Sequence, residues 1–191
     1  MKLVFATHNK NKFLEVQTMM PPDIDLLSLS DIDCNEDIAE TETTIEGNAI
    51  LKATYVKEHY GYDCFADDTG LEVNSLNNEP GVYSARYAGP DNNANANIQK
   101  LLLNLSEQQN RAARFKTAIS LVFEGKKALF LGICEGEIVE EQMGIGGFGY
   151  DPVFKPNGYK TTFAEMSLDQ KSEIGHRGRA MRQLIDYLSK R

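Results

Sequence analysis

Hydrophobic positions along the chain follow two periods. Leu3 to Ala6 is an unbroken apolar run that stops at Thr7, the pattern of a buried strand. Phe13, Val16 and Met20 then recur at helical spacing until Pro21-Pro22, which predicts a first helix and its stop. Ile24 to Leu29 predicts a second strand, and the stretch 31–44 is acidic and irregular. Ile45, Ala49, Ala53, Val56 and Tyr60 share one helical face that ends at Gly61. Cys64-Phe65-Ala66 predicts a short strand running into Asp67-Asp68-Thr69-Gly70, and residues 71–76 continue extended. The breakers Pro80-Gly81 and Gly89-Pro90 mark 77–91 as a loop. A third helix over about 92–105 aligns Ala94, Ile98, Leu101, Leu102 and Leu105. The runs 114–124 and 127–139 predict a long hairpin about Gly125-Lys126. A glycine-rich loop, 143–151, and a last helix, 176–189, complete the chain.

This order predicts an α/β protein with a two-lobed mixed β-sheet flanked by helices. There is no internal repeat and no low-complexity linker. We therefore expect one domain over 1–191, with a second lobe built around the hairpin at about 112–140.

Charge changes the picture more than composition does. Twenty basic side chains stand against 28 acidic ones, a net charge of −8. A duplex binder carries a basic stripe, so nucleic acid is not the expected partner. A local cluster of lysines can still bind a small anion inside an acidic protein. Cys34, Cys64 and Cys134 form no CxxC pair, and their odd number excludes a fully disulfide-bonded monomer. Three free thiols, no signal-type apolar segment and no membrane-length run lead us to expect a cytoplasmic protein.

Four segments are candidates for chemistry. Thr7, His8, Asn9, Lys10, Asn11 and Lys12 lie at a strand-to-helix turn, where backbone N–H groups, the helix dipole and lysines suit a triphosphate. The segment lacks the P-loop pattern, and a polar helix cap with solvated lysines is the alternative reading. Glu40, with Glu36 and Asp37 nearby, and the pair Asp67-Asp68 are hard oxygen donors of the kind magnesium takes. Adjacent residues on an extended chain face opposite ways, so one acid of the pair is expected to face a reacting phosphate directly while the other orients or ligates. A solvated acidic turn is the alternative. Gly144 to Gly149 formally matches G-x-G-x-x-G but leads into Asp151-Pro152 rather than a helix, so a dinucleotide fold is rejected. The loop either lets Phe148 or Tyr150 stack on a base or buries them in the core. Lys171 with His176-Arg177 places cations near a helix start, as cap or as ligand.

Together, these segments resemble the Ham1/RdgB family of inosine triphosphate pyrophosphatases. The resemblance rests on Phe5-Ala6-Thr7-His8-Asn9 with Lys12; on Glu40-Thr41 and Gly47-Asn48-Ala49-Ile50-Leu51-Lys52-Ala53; and on Ala66-Asp67-Asp68-Thr69-Gly70-Leu71. It continues through Pro80-Gly81-Val82-Tyr83-Ser84-Ala85-Arg86-Tyr87-Ala88-Gly89, Gly147 to Phe154, and His176-Arg177. It covers nearly the whole chain. His8 stands where the family commonly has glycine, Gly175 where it commonly has serine, and Glu42 and Gly47 also depart from the usual text.

The resemblance implies a Maf/Ham1-type ITPase-like fold, a homodimer and a Mg²⁺-dependent hydrolysis of ITP, dITP or XTP to the monophosphate and pyrophosphate. It implies Asp68 as the acid nearest the chemistry and as a metal ligand, with Glu40 as its metal partner. It implies that residues 7–12 and Lys52 meet phosphates. It further implies that Thr69, Phe148, Gly149, Tyr150, Asp151, Lys171, His176 and Arg177 form the nucleoside site. The competing expectations are a Maf-like pyrophosphatase with another base preference and a nucleotide-binding module without turnover.

Overall fold

The computed structural model describes residues 1–190. In chain order the elements are β1 (Lys2–Phe5), α1 (Lys10–Met19), β2 (Asp25–Leu27), α2 (Ile45–Tyr60), β3 (Cys64–Val73) and β4 (Pro80–Gly81). There follow α3 (Ala94–Asn104), β5 (Ala112–Phe123), β6 (Lys126–Ile138), β7 (Phe154–Pro156), α4 (Leu168–Ile174) and α5 (His176–Ser189). The strands hydrogen-bond in the order β2-β1-β3-β5-β6-β7, with β4 on β3. β1 runs parallel to β2 and β3, whereas β4 and β7 are antiparallel to β3 and β6. The mixed α/β sheet with flanking helices is thus as expected.

The chain divides into two compact units. The first comprises Met1–Asp68, Thr117–Gly132 and the chain from Arg177; the second comprises Thr69–Lys116 and Ile133–His176. The hairpin therefore gives its tip to the first unit and its ends to the second. The tip is the turn Glu124-Gly125, both at positive φ (48° and 74°), a two-residue connection that matches strand twist.

In the first unit, strand alternation sorts side chains onto two faces. Leu3 and Phe5 of β1 and Phe65 of β3 pack with Val16 of α1 and Ala180, Met181 and Leu184 of α5. Val4 and Ala6, with Cys64 and Ala66, pack instead with Ala53 and Val56 of α2. Each fully buried Val, Leu, Phe or Met among them contributes roughly 1.5–3 kcal/mol. Helix α2 starts where the Thr44 hydroxyl accepts the Gly47 N–H and stops at Gly61.

The second unit has its own core, in which Leu71, Ile98, Leu101, Phe115, Phe154 and Phe163 are buried. All three cysteines are free and buried. Among the described residues no helix is long and apolar enough to cross a membrane.

Candidate active site

The two acids of β3 inherit the two faces of the strand. Asp67 continues the row of Phe65 toward α1 and α5, and Asp68 continues the row of Cys64 and Ala66 toward α2. Asp67, fully buried, accepts Lys12 Nζ on Oδ1 at 2.9 Å and Arg177 Nε on Oδ2 at 3.0 Å. Arg177 Nη1 also donates to Glu15, one turn along α1 from Lys12. Asp68 accepts Asn48 Nδ2 at 3.3 Å and lies 3.7 Å from Lys52 Nζ. Asn48 and Lys52 are one turn apart on α2, so both reach the same acid.

These surroundings drive the two carboxyls in opposite directions. Burial pushes Asp67 up, but the nearby Lys12, Arg177 and Lys52 charges outweigh it and hold the carboxyl well below the usual range. For Asp68 burial wins over Lys52 and Lys12, Glu40 and Asp67 add repulsion, and the carboxyl is raised. Burial also lowers Lys12, against the pull of Asp67. Lys52 is raised because Asp68 and Glu40 overcome its burial.

The turn before α1 is organised by its own side chains. Asn9 Oδ1 accepts the N–H groups of Asn11 and Lys12 at 3.0 and 3.1 Å, and Thr7 Oγ1 accepts Asn9 N–H at 3.2 Å. Asn9 is thus the helix cap. His8, Asn9, Lys10 and Asn11 are exposed, Thr7 is half-buried, and Lys12 reaches inward to Asp67.

Lys52 Nζ donates to Glu40 Oε1 at 2.5 Å, so one ammonium stands against both Glu40 and Asp68. Among the described residues no group of three His, Cys, Asp or Glu is placed to hold a metal ion. Two carboxylates fit an ion that takes its remaining ligands from water and phosphate, the usual manner of magnesium.

The second unit gathers a different cluster. Asp151 Oδ2 accepts Lys171 Nζ at 2.5 Å and the Phe148 N–H at 2.7 Å; Asp151 and Lys171 are both buried. Lys171 Nζ also lies 4.6 Å from the centre of the half-buried Phe148 ring. Gly147 is at φ 70°, and a Cβ there would run into the Asp151 carboxylate. The His176 ring is buried and stacked on Phe115 at 4.6 Å. Tyr150 lies in the core, its hydroxyl donating to the Ser84 carbonyl at 2.8 Å. Gly149 and Thr69 are half-buried.

Residues 3–187 match the Ham1 family. The chain belongs to that family. It is 64% identical over 190 residues to a protein of Christiangramia forsetii named dITP/XTP pyrophosphatase, with full coverage of both chains. It is 61% identical over 189 residues to a protein of the same name from Flavobacterium johnsoniae, covering 99% of this chain and 98% of that one. A Ham1 protein structure from Coxiella burnetii superposes with a TM-score of 0.92 at 35% identity, covering both chains in full.

In this Ham1 chain the structure brings Lys12 to Asp67, and Lys52 to Glu40 and Asp68. It likewise brings Phe148, Asp151 and Lys171 together. It parts His176 from Arg177: the ring enters an aromatic stack and the guanidinium meets Asp67 and Glu15. Successive helix residues point about 100° apart, so neighbours in sequence need not share a task. Two residues of the cluster went unread in the sequence, Glu15 and Asn48. Their signal was helical spacing: Glu15 three after Lys12, and Asn48 four before Lys52.

Proposed function

We propose that this protein hydrolyses non-standard purine nucleoside triphosphates (ITP, dITP and XTP) to the nucleoside monophosphate and pyrophosphate, with Mg²⁺. The names of its relatives support the reaction. The observation that carries it in this chain is the split between Asp67 and Asp68. Two adjacent carboxyls whose surroundings drive them apart are the usual mark of divided labour at a catalytic site.

Asp68 accepts the proton of the attacking water as its oxygen bonds the α-phosphorus and the bond to the leaving pyrophosphate breaks. Asp67 stays ionised and holds Lys12 in place. Glu40 and Asp68 are the carboxylates that would hold Mg²⁺, which would neutralise phosphate oxygens as a Lewis acid. Lys12, Lys52 and the polar groups of Thr7, His8, Asn9, Lys10 and Asn11 receive the triphosphate and stabilise the departing charge.

To the second unit we assign the base. Phe148 offers its ring face, Lys171 and His176 offer donors to a 6-oxo purine, and Thr69, Gly149, Tyr150 and Asp151 shape the wall. Adenine presents a donor at that position, leaving a buried donor unpaired, and such a site discriminates by roughly 10⁴–10⁵. Arg177 belongs to the first unit, where its guanidinium holds Asp67 and Glu15. We further propose a cytoplasmic homodimer.

The test is pyrophosphate release from ITP, dITP, XTP, GTP and ATP, each with and without Mg²⁺. Release from the first three, dependent on Mg²⁺ and far above GTP and ATP, is expected. Equal turnover of ATP, or preference for a pyrimidine triphosphate, contradicts the reading.

A further inference from the structure

Glu36 lies four residues before Glu40 and takes no part in the reaction above, yet its carboxylate is held from two sides. Glu36 Oε1 accepts the Tyr60 hydroxyl at 2.6 Å and the Tyr55 hydroxyl at 2.8 Å. Both tyrosines belong to the last turns of α2. The Tyr55 ring is itself stacked on His59 at 4.1 Å, and His59 Nδ1–H donates to the Tyr55 carbonyl at 3.0 Å. Glu36 is exposed. A carboxylate on the surface ordinarily samples many rotamers, whereas two short bonds to hydroxyls on one helix leave this one a single position. The Tyr60 hydroxyl, then the residue's own N–H and the Tyr55 hydroxyl, hold its carboxyl at about 2 against an ordinary 4.5.

The backbone of the same residue reaches elsewhere. The Glu36 carbonyl oxygen accepts His8 Nε2–H at 2.9 Å. A carbonyl only accepts, so the proton of that ring nitrogen is fixed by the contact. His8 sits between Thr7 and Asn9, the residue that caps α1. A line of hydrogen bonds thus runs from the end of α2, through Glu36, to the turn that leads into α1.

We propose that Glu36, clamped by Tyr55 and Tyr60, is a positioning residue for the Thr7–Lys12 turn and acts through His8. The proposal rests on the reading of that turn as a contact for the triphosphate. A turn held in its bound shape before the ligand arrives loses less freedom on binding. The gain then falls on substrate binding and leaves the chemical step alone. The bland counterpart is that the tyrosines merely brace the 36–40 segment against α2. That role predicts a lower melting temperature with no specific effect on residues 8–12.

The experiment compares the full chain with Glu36→Ala, Glu36→Gln, His8→Ala and the double variant Glu36→Ala/His8→Ala. Amide hydrogen exchange at residues 8–12 is measured without ligand, and kcat and KM for dITP are measured with Mg²⁺. Glu36→Ala is expected to speed exchange at 8–12 and raise KM about three- to tenfold, with kcat within about twofold. Glu36→Gln keeps an acceptor oxygen for both hydroxyls and is expected to restore most of the loss. In the His8→Ala background the Glu36→Ala change is expected to add nothing further. Unchanged exchange at 8–12 in Glu36→Ala, or KM effects that simply multiply in the double variant, overturns the proposal. Faster exchange in a protein that turns over no triphosphate sinks the functional reading and leaves the tie itself supported.

Discussion

Asp67 and Asp68 are joined by one peptide bond and serve opposite faces of β3, Asp67 with Lys12 and Arg177, Asp68 with Asn48 and Lys52. Their amides should therefore fail in different ways. Asp67→Asn leaves two buried cations short of their counter-charge, which costs about 3–5 kcal/mol when a buried pair is broken. Asp68→Asn removes a carboxyl that burial already disfavours, and stability should change by no more than about 1 kcal/mol. Urea unfolding of the two variants beside pyrophosphate release separates them: the first is expected to lose fold, the second activity alone.

Glu40 Oε1 and Asp68 both face the Lys52 ammonium, and both are the proposed carboxylates for the metal. Chelation by EDTA should abolish pyrophosphate release and added Mg²⁺ should restore it. Glu40→Gln should raise the Mg²⁺ needed for half-maximal rate by about 10–100-fold, the cost typical of a weakened metal site. A Mg²⁺ titration of each protein reads this directly, and an unchanged midpoint would take Glu40 off the metal.

Much of the first unit was legible because its signals are local. The Thr44 cap and Gly61 stop bound α2 where apolar spacing placed it, and Leu3–Ala6 reads as a strand without further help. Cys64–Ala66 reads as a short strand that runs into Asp-Asp-Thr-Gly, where a solvated acidic turn is the alternative because the segment is polar and ends in glycine. In the fold residues 67–70 are the middle of one ten-residue strand, since pairing and the cations of α1, α2 and α5 make buried carboxylates tolerable there. β4 and β7 went unread because strands of two and three residues exist only through their partners. For α4 a signal was present, the Ser167–Gln170 capping box, ahead of a helix of only seven residues.

The glycine-rich loop matters for a reason spacing does not give. Gly147 holds φ 70° beside the Asp151 carboxylate that pairs with Lys171. Gly147→Ala is expected to cost roughly 1–2 kcal/mol for the left-handed backbone alone. Because the added methyl displaces Asp151, KM for dITP should rise as well. Thermal unfolding and steady-state kinetics of this variant measure both.

The clamp on Glu36 has a pH signature. Its carboxyl lies at about 2 in the folded chain against an ordinary 4.5, so the ionised form is favoured by folding. That stability is fully present above about pH 4.5 and is lost as pH falls toward 2. Unfolding of the parent and of Glu36→Gln by urea at pH 6.5 and at pH 4 should show a gap at the higher pH that narrows at the lower one. A gap that widens on acidification would contradict the assignment.

As proposed here, Asp68 takes the proton of a water that splits off pyrophosphate whole. Single-turnover hydrolysis of dITP with Mg²⁺, following both products, tests it most directly in the parent and in Asp68→Asn. dIMP and pyrophosphate in equal amounts are expected from the parent. A rate lowered by about 10²–10⁴-fold is expected in a folded Asp68→Asn that still binds dITP. Release of inorganic phosphate with dIDP, or an Asp68→Asn protein that turns over at the parent rate, would contradict it.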